Sequence, residues 1–168
     1  MDMKPGSWRT LFRMQELQST PASVDKLFRR SFGHRIPGYP RHFVLWFERP
    51  ERAPVPAAYI HQLPFHNVYL AGGMCVDASI YRQLDKETFR AVRDAGGLAT
   101  IIMTDTYDML GDSPAVFGHV DEPRARQADY RAGMIDTDRA HLMVYWRREL
   151  PEAEKRRLID LVARHGPF

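Results

Sequence analysis

The 168-residue chain has one cysteine, Cys75. It therefore has no internal disulfide, and no cysteine pair from which to build a zinc knuckle or a CxxC redox motif. A lone thiol fits a reducing compartment, and the cytoplasm is the expected location. Long apolar runs are missing too. Nowhere do about 18 apolar residues follow one another without a charge, and the opening MDMKPGSWRT has no apolar stretch of the kind a secretory leader needs. Neither a membrane span nor secretion is supported. The chain also lacks a Gly-x-Ser-x-Gly elbow, a Walker loop and a dinucleotide glycine fingerprint, which leaves serine hydrolase, NTPase and nicotinamide chemistry without support. With no internal repeat and no low-complexity linker, residues 1–168 read as a single domain.

Strong charge of one sign is likewise absent. The 24 Lys and Arg exceed the 21 Asp and Glu by only three. The basic residues are scattered, and their short runs (Arg29-Arg30, Arg147-Arg148, Lys155-Arg156-Arg157) suit solvated faces. No nucleic-acid motif accompanies them, so no nucleic-acid partner is expected. Of the seven histidines, His61 and His66 stand five apart across an expected turn. That spacing fits no ligand motif, and no metal is expected.

What is present is an ordinary globular composition, 44% apolar and 27% charged. The apolar positions divide into two periods. Ser7–Leu17 and Phe43–Phe47 read as strands, the second a continuous run suited to burial on both faces. Ala57–His61 and Val68–Val76 follow, joined by a hairpin through Leu63-Pro64-Phe65-His66-Asn67. Between the first two strands, Thr20-Pro21-Ala22-Ser23 opens a helix that carries Val24, Leu27, Phe28 and Phe32 and stops at Gly33. Asp85-Lys86-Glu87-Thr88 opens a second helix, closed by Gly96-Gly97. Leu98–Met103 then reads as a buried strand, parallel to Val68–Val76 through that crossover helix. Glu122–Ala132 is a helix ending at Gly133, and His141–Trp146 is a last strand. A C-terminal helix runs from Pro151 to Gly166, with Glu152 and Glu154 in its first turn. The fold class is α/β (α+β): a mixed central sheet, mostly antiparallel with one parallel βαβ pair, flanked by helices.

This order, together with two short stretches, resembles the GNAT family of acyl-CoA-dependent N-acyltransferases. Gly73-Met74-Cys75-Val76-Asp77 with Tyr81-Arg82 is similar to that family's fourth strand leading into its pyrophosphate loop. Ala128-Asp129-Tyr130-Arg131-Ala132-Gly133-Met134 is similar to its Tyr-x-x-x-Gly-Phe helix end. The resemblance implies acetyl-CoA or another acyl-CoA as co-substrate, with Met74, Cys75, Val76, Tyr81 and Arg82 binding it. It also implies a small-molecule amine as acceptor, and leaves the oligomeric state open, a homodimer included. Asp77, His119 and Tyr130 are the acid/base candidates.

The chain departs from the family pattern in two places. Where the pyrophosphate loop should show glycines there stand Gln83, Leu84, Asp85 and Lys86, whose side chains would crowd a phosphate. The family's general-acid tyrosine, four residues before the helix-end glycine, is replaced by Asp129, with Tyr130 shifted by about 100° around the helix. Two readings follow: an N-acetyltransferase in which the amine attacks the thioester directly, or a GNAT-like binding or regulatory domain that no longer takes CoA. Cys75 reads as a small buried hydrophobe, not a nucleophile. Asp105 and Asp108, flanking Tyr107, read as solvated acids in a strand-to-helix loop.

Overall fold

The computed structural model describes residues 7–38 and 40–168; the leader reading at residues 1–6 falls outside them. Seven strands form one sheet in the order β1-β2-β3-β4-β5-β7-β6. They are β1 (Phe12–Leu17), β2 (Arg41–Arg49), β3 (Arg52–Phe65), β4 (Val68–Val76), β5 (Ala115–His119), β6 (Ile135–Asp136) and β7 (Leu142–Trp146). Every pairing is antiparallel except that of β4 with β5. The helices are α1 (Ala22–Phe32), α2 (Lys86–Asp94), α3 (Gly97–Tyr107), α4 (Pro123–Arg131) and α5 (Glu152–His165).

Alternation along the strands decides which helix packs where. Val44, Tyr59 and Cys75 bury against Val24, Leu27 and Phe28 of α1. On the same face, Leu70, Phe117 and Val144 bury against Leu158 and Val162 of α5. The opposite-facing Phe43, Leu45, Ile60, Val116 and Met143 form the main core with Val92 of α2 and Leu98, Ile101, Ile102 and Met103 of α3. The sheet is therefore a wall between an α1/α5 face and an α2/α3/α4 face.

Two expected elements are corrected. Ser7–Leu11 is a 3₁₀ turn, and the first strand starts only at Phe12. Leu98–Met103 is not a strand but the body of α3, and the parallel partner of β4 is Ala115–His119. The reason is burial: Leu98, Thr100, Ile101, Ile102 and Met103 are all buried. A helix covered on every side loses the polar stripe that would reveal its period. The hydroxyls of Thr100, Thr104 and Thr106 donate to the carbonyls of Gly96, Thr100 and Ile102 four residues back, so polar side chains are satisfied inside the helix itself. The crossover from β4 to β5 thus contains two helices. No helix among the described residues is long and apolar enough to cross a membrane.

Candidate functional site

The parallel pairing of β4 with β5 lasts for three registers, Tyr69 with Val116, Leu70 with Phe117 and Ala71 with Gly118. Beyond them the strands diverge. β4 continues to Val76 along β3, while β5 stays with β7 and the Val120 N–H donates to the His141 carbonyl at 2.8 Å. The divergence opens a cleft through the sheet, a cavity of about 210 Å³. Gly72, Gly73 and Met74 form one wall and Gly118, His119 and Val120 the other, with Ile60, Met103 and Asp129 among the remaining lining.

A bulge shapes the β4 wall. The β3–β4 register slips between Tyr59 and His61, and Gly73 takes φ +58°. The His61 ring lies against this bulge. A Cβ on Gly72 would come within 2.9 Å of His61 Nε2, and one on Gly73 within 2.3 Å of Cε1 and 2.8 Å of Phe28. Glycine is required here both by backbone conformation and by this close approach. His61 continues a buried chain: its Nδ1 is 3.3 Å from Tyr59 Oη, which is 2.8 Å from His42 Nδ1. Burial, with the nearby His42 and His34 charges, pulls the His61 imidazole down to about 4, and burial lowers His42 as well.

Three acids line the cleft, Asp121, Glu122 and Asp129, and of these Asp129 is the buried one. It is 6% exposed, and burial pushes its carboxyl up to about 6 against an opposing pull from Arg126. Its charge, after burial, also raises the phenol of Tyr107, which stacks on Tyr145 with ring centres 4.3 Å apart. Tyr130, the expected general acid, leaves α4 on the outer side and is 40% exposed. Its hydroxyl donates to Asp136 at 2.6 Å and accepts from Arg126 at 3.1 Å, and Arg126 also binds Asp136. This is a rim network.

The other expected residues divide similarly. Met74 and His119 line the cleft. Cys75 points to the α1 face, where burial pushes its thiol up to about 11, and Val76 packs into the main core. Asp77 caps the following 3₁₀ turn by accepting from the Ser79 N–H at 2.9 Å, with Arg30 4.0 Å away. Arg82 is exposed at the end of that turn. Asp85 caps α2, accepting from the Thr88 N–H at 2.8 Å. Asp105, read as a loop acid, lies within α3 and pairs with Arg9 at 2.5 Å.

The segment Gln83–Lys86 therefore does not lead into the helix before β5. That helix is α3, and it begins at Gly96-Gly97, both with positive φ. Tyr81 reaches this start and its hydroxyl accepts from the Leu98 N–H at 2.9 Å. Tyr81, Phe89, Arg93, Gly96, Gly97 and Arg131 surround a hollow of about 520 Å³ there. In the sequence the two glycines mark a helix stop, and in the structure they also open the next helix. A glycine pair inside a strand, Gly72-Gly73, was a second available signal, because interior strand glycines mark bulges. Groups of three or more metal-ligating side chains are absent among the described residues.

No protein-family model and no curated protein matches the chain. Among solved structures, the ribosomal-protein-S18-alanine N-acetyltransferase from Escherichia coli matches over 84% of this chain and 97% of its own, with a TM-score of 0.53 at 12% identity. The KacTA–DNA complex matches over 89% of this chain and 99% of that one, with a TM-score of 0.48 at 11% identity. AtaTR bound with AcCoA matches over 90% and 99%, with a TM-score of 0.45 at 11% identity. The first of these likenesses, together with the strand order and the single parallel pair, shows a GNAT-like fold.

Proposed function

We propose that this GNAT-like fold serves an acyl-CoA-dependent N-acyltransferase, with the thioester arm in the β4–β5 cleft. The observation that carries the reading is the splay itself. Parallel strands that separate after three registers leave main-chain N–H and C=O groups facing an apolar cavity, and such groups need partners. An extended amide-bearing arm supplies them. Gly72, Gly73 and Gly118 leave bare backbone in both walls, while Ile60 and Met103 cover the arm's apolar part.

The anionic end belongs at the start of α3. Residues 97 and 103 are about 9 Å apart along a helix axis, so one ligand can occupy the cleft beside Met103 and reach the Gly96-Gly97 turn. There the helix dipole favours an anion. Arg93 and Arg131 border the same hollow, neither in an ion pair among the described residues. The glycine-poor segment 83–86, the feature that favoured a domain without CoA, is occupied with starting α2 and does not bear on this site.

In the reaction, the cleft-side N–H groups of Gly72–Met74 polarise the thioester carbonyl. Asp129 stands where the fold resemblance expects a tyrosine, and in its protonated form it delivers a proton to the leaving sulfur. An apolar arm in the cleft desolvates Asp129 further and favours that form.

Calorimetric titration with acetyl-CoA and its desulfo and dephospho analogues tests the reading. Micromolar affinity, about −8 kcal/mol, with a loss for the dephospho form supports it. No binding at about 1 mM ligand, weaker than about −4 kcal/mol, overturns it in favour of a binding domain that has kept the shape alone.

A further inference from the structure

A second cavity, of about 510 Å³, lies on the α5 face, between the end of β5, the segment leading into β7, and the last turns of α5. Its lining includes His119, Arg139, Leu142, Asp160 and Arg164. His119 is the one residue common to this lining and that of the cleft. Strand alternation explains why. A Cβ on Gly118 would face Met134 on the α4 side, so the next side chain points to the α5 side. There the His119 ring lies 5.8 Å from His141 and 6.1 Å from Phe168, centre to centre. Its main chain borders the open β5 edge, and its imidazole faces the second cavity.

The charges in this cavity are uneven. Arg139 is engaged by Asp160 at 2.6 Å and by Asp138 at 3.9 Å. Arg164, in the last turn of α5, has no ion-pair partner among the described residues. The cavity thus offers a carboxylate already shared with an arginine, one guanidinium without an ion-pair partner among the described residues, and a histidine that also lines the cleft.

We infer that this cavity is the acceptor site, that it takes a small primary amine carrying a carboxylate, and that His119 is the base receiving the amine's proton. The inference rests on the acyl-transfer reading of the cleft. The carboxylate pairs with Arg164, which directs the amine toward His119 and the thioester beyond it. Proton bookkeeping closes: the acceptor ammonium loses two protons in becoming an amide. One leaves to solvent through His119. The other balances the proton that Asp129 gives the thiolate as the C–N bond forms and the C–S bond breaks.

The test compares alanylalanine with its C-terminal amide, two amines of the same size that differ in the carboxylate. Amide-resonance shifts at Leu142 and Ala163 on adding alanylalanine without CoA report occupancy independently of turnover. With acetyl-CoA, KM should be at least about fivefold lower for the free acid, a preference lost in Arg164→Ala. His119→Ala should lower kcat about 100-fold or more with KM little changed, and added imidazole should restore part of it. Both variants should keep the acetyl-CoA affinity of the parent. Equal KM values for the two dipeptides, or a preference that survives Arg164→Ala, overturn the acceptor class. Full activity in His119→Ala overturns the base. Should acetyl-CoA not bind at all, the cleft reading fails and the base role with it, while the Leu142 and Ala163 shifts still decide whether the cavity takes a carboxylate-bearing amine.

Discussion

Asp129 and Tyr130 are neighbours on α4, yet the first lines the cleft at 6% exposure and the second stands at the rim at 40%. One helical step separates a buried carboxyl from a surface phenol tied to Asp136. Opposite mutational results are expected.

Asp129→Asn should lower kcat about 100-fold, the usual scale for losing a positioned proton donor. With Asp129 present, kcat should fall as pH rises above the carboxyl's own value, since only the protonated form donates. Tyr130→Phe should leave kcat within about twofold and cost at most about 1 kcal/mol of stability, because its hydrogen bonds are solvent-exposed. Steady-state kinetics and denaturant titration check both.

Asp129 should also lower the stability of the fold at neutral pH. Its carboxyl titrates at about 6 when folded, against 3.8 ordinarily. The folded chain therefore holds the proton more tightly, and stability falls as pH rises between those values. The cost reaches about 3 kcal/mol above that window and vanishes below it. Asp129→Asn should accordingly be more stable than the parent at pH 8 and equal to it at pH 3.5. An equal difference at both pH values contradicts this account.

The His61 imidazole should titrate near 4 in a proton resonance experiment on the folded protein, well below 6.5. The sign is that of a base whose folded value is depressed. Its contribution to stability is complete above about 6.5 and is lost as pH falls toward 4, where the unfolded chain alone is protonated. A midpoint near 6.5 in the folded state would mean that the ring is hydrated and not packed on the bulge.

Gly73→Ala should destabilise by about 3 kcal/mol or more, adding a steric clash to backbone strain. Gly33→Ala, at φ +75° with nothing within 4 Å of the new Cβ, should cost only about 1 kcal/mol. Thermal unfolding of the two variants separates the effects, and equal losses would remove the His61 contact as the cause.

Much of the architecture was legible because it depends on local pattern. Phe43–Phe47 and Val68–Val76 are short apolar stretches rich in aromatic, aliphatic or β-branched residues, the C-terminal helix shows a helical period with recognisable ends, and the observed elements agree. α3 was not legible as a helix. No residue of α3 is exposed, which removes the polar face from which helical period is read. With residues 98–103 read as a strand, α2 becomes the whole β4–β5 crossover, whereas in the structure the helix before β5 is α3, starting at Gly96-Gly97.

For the candidate site, the sequence by itself determined the residue types: glycines in β4, an acid four residues before Gly133, and a histidine at the end of β5. Tertiary structure alone decided which of them share a space. The β4–β5 divergence depends on β4 staying with its hairpin partner β3 while β5 stays with β7, which lies beyond α4 in the chain, and the helix rotation that turns Asp129 inward depends on what α4 packs against. Neither is encoded in a local period, because both are settled by burial between segments that meet only when the sheet is assembled.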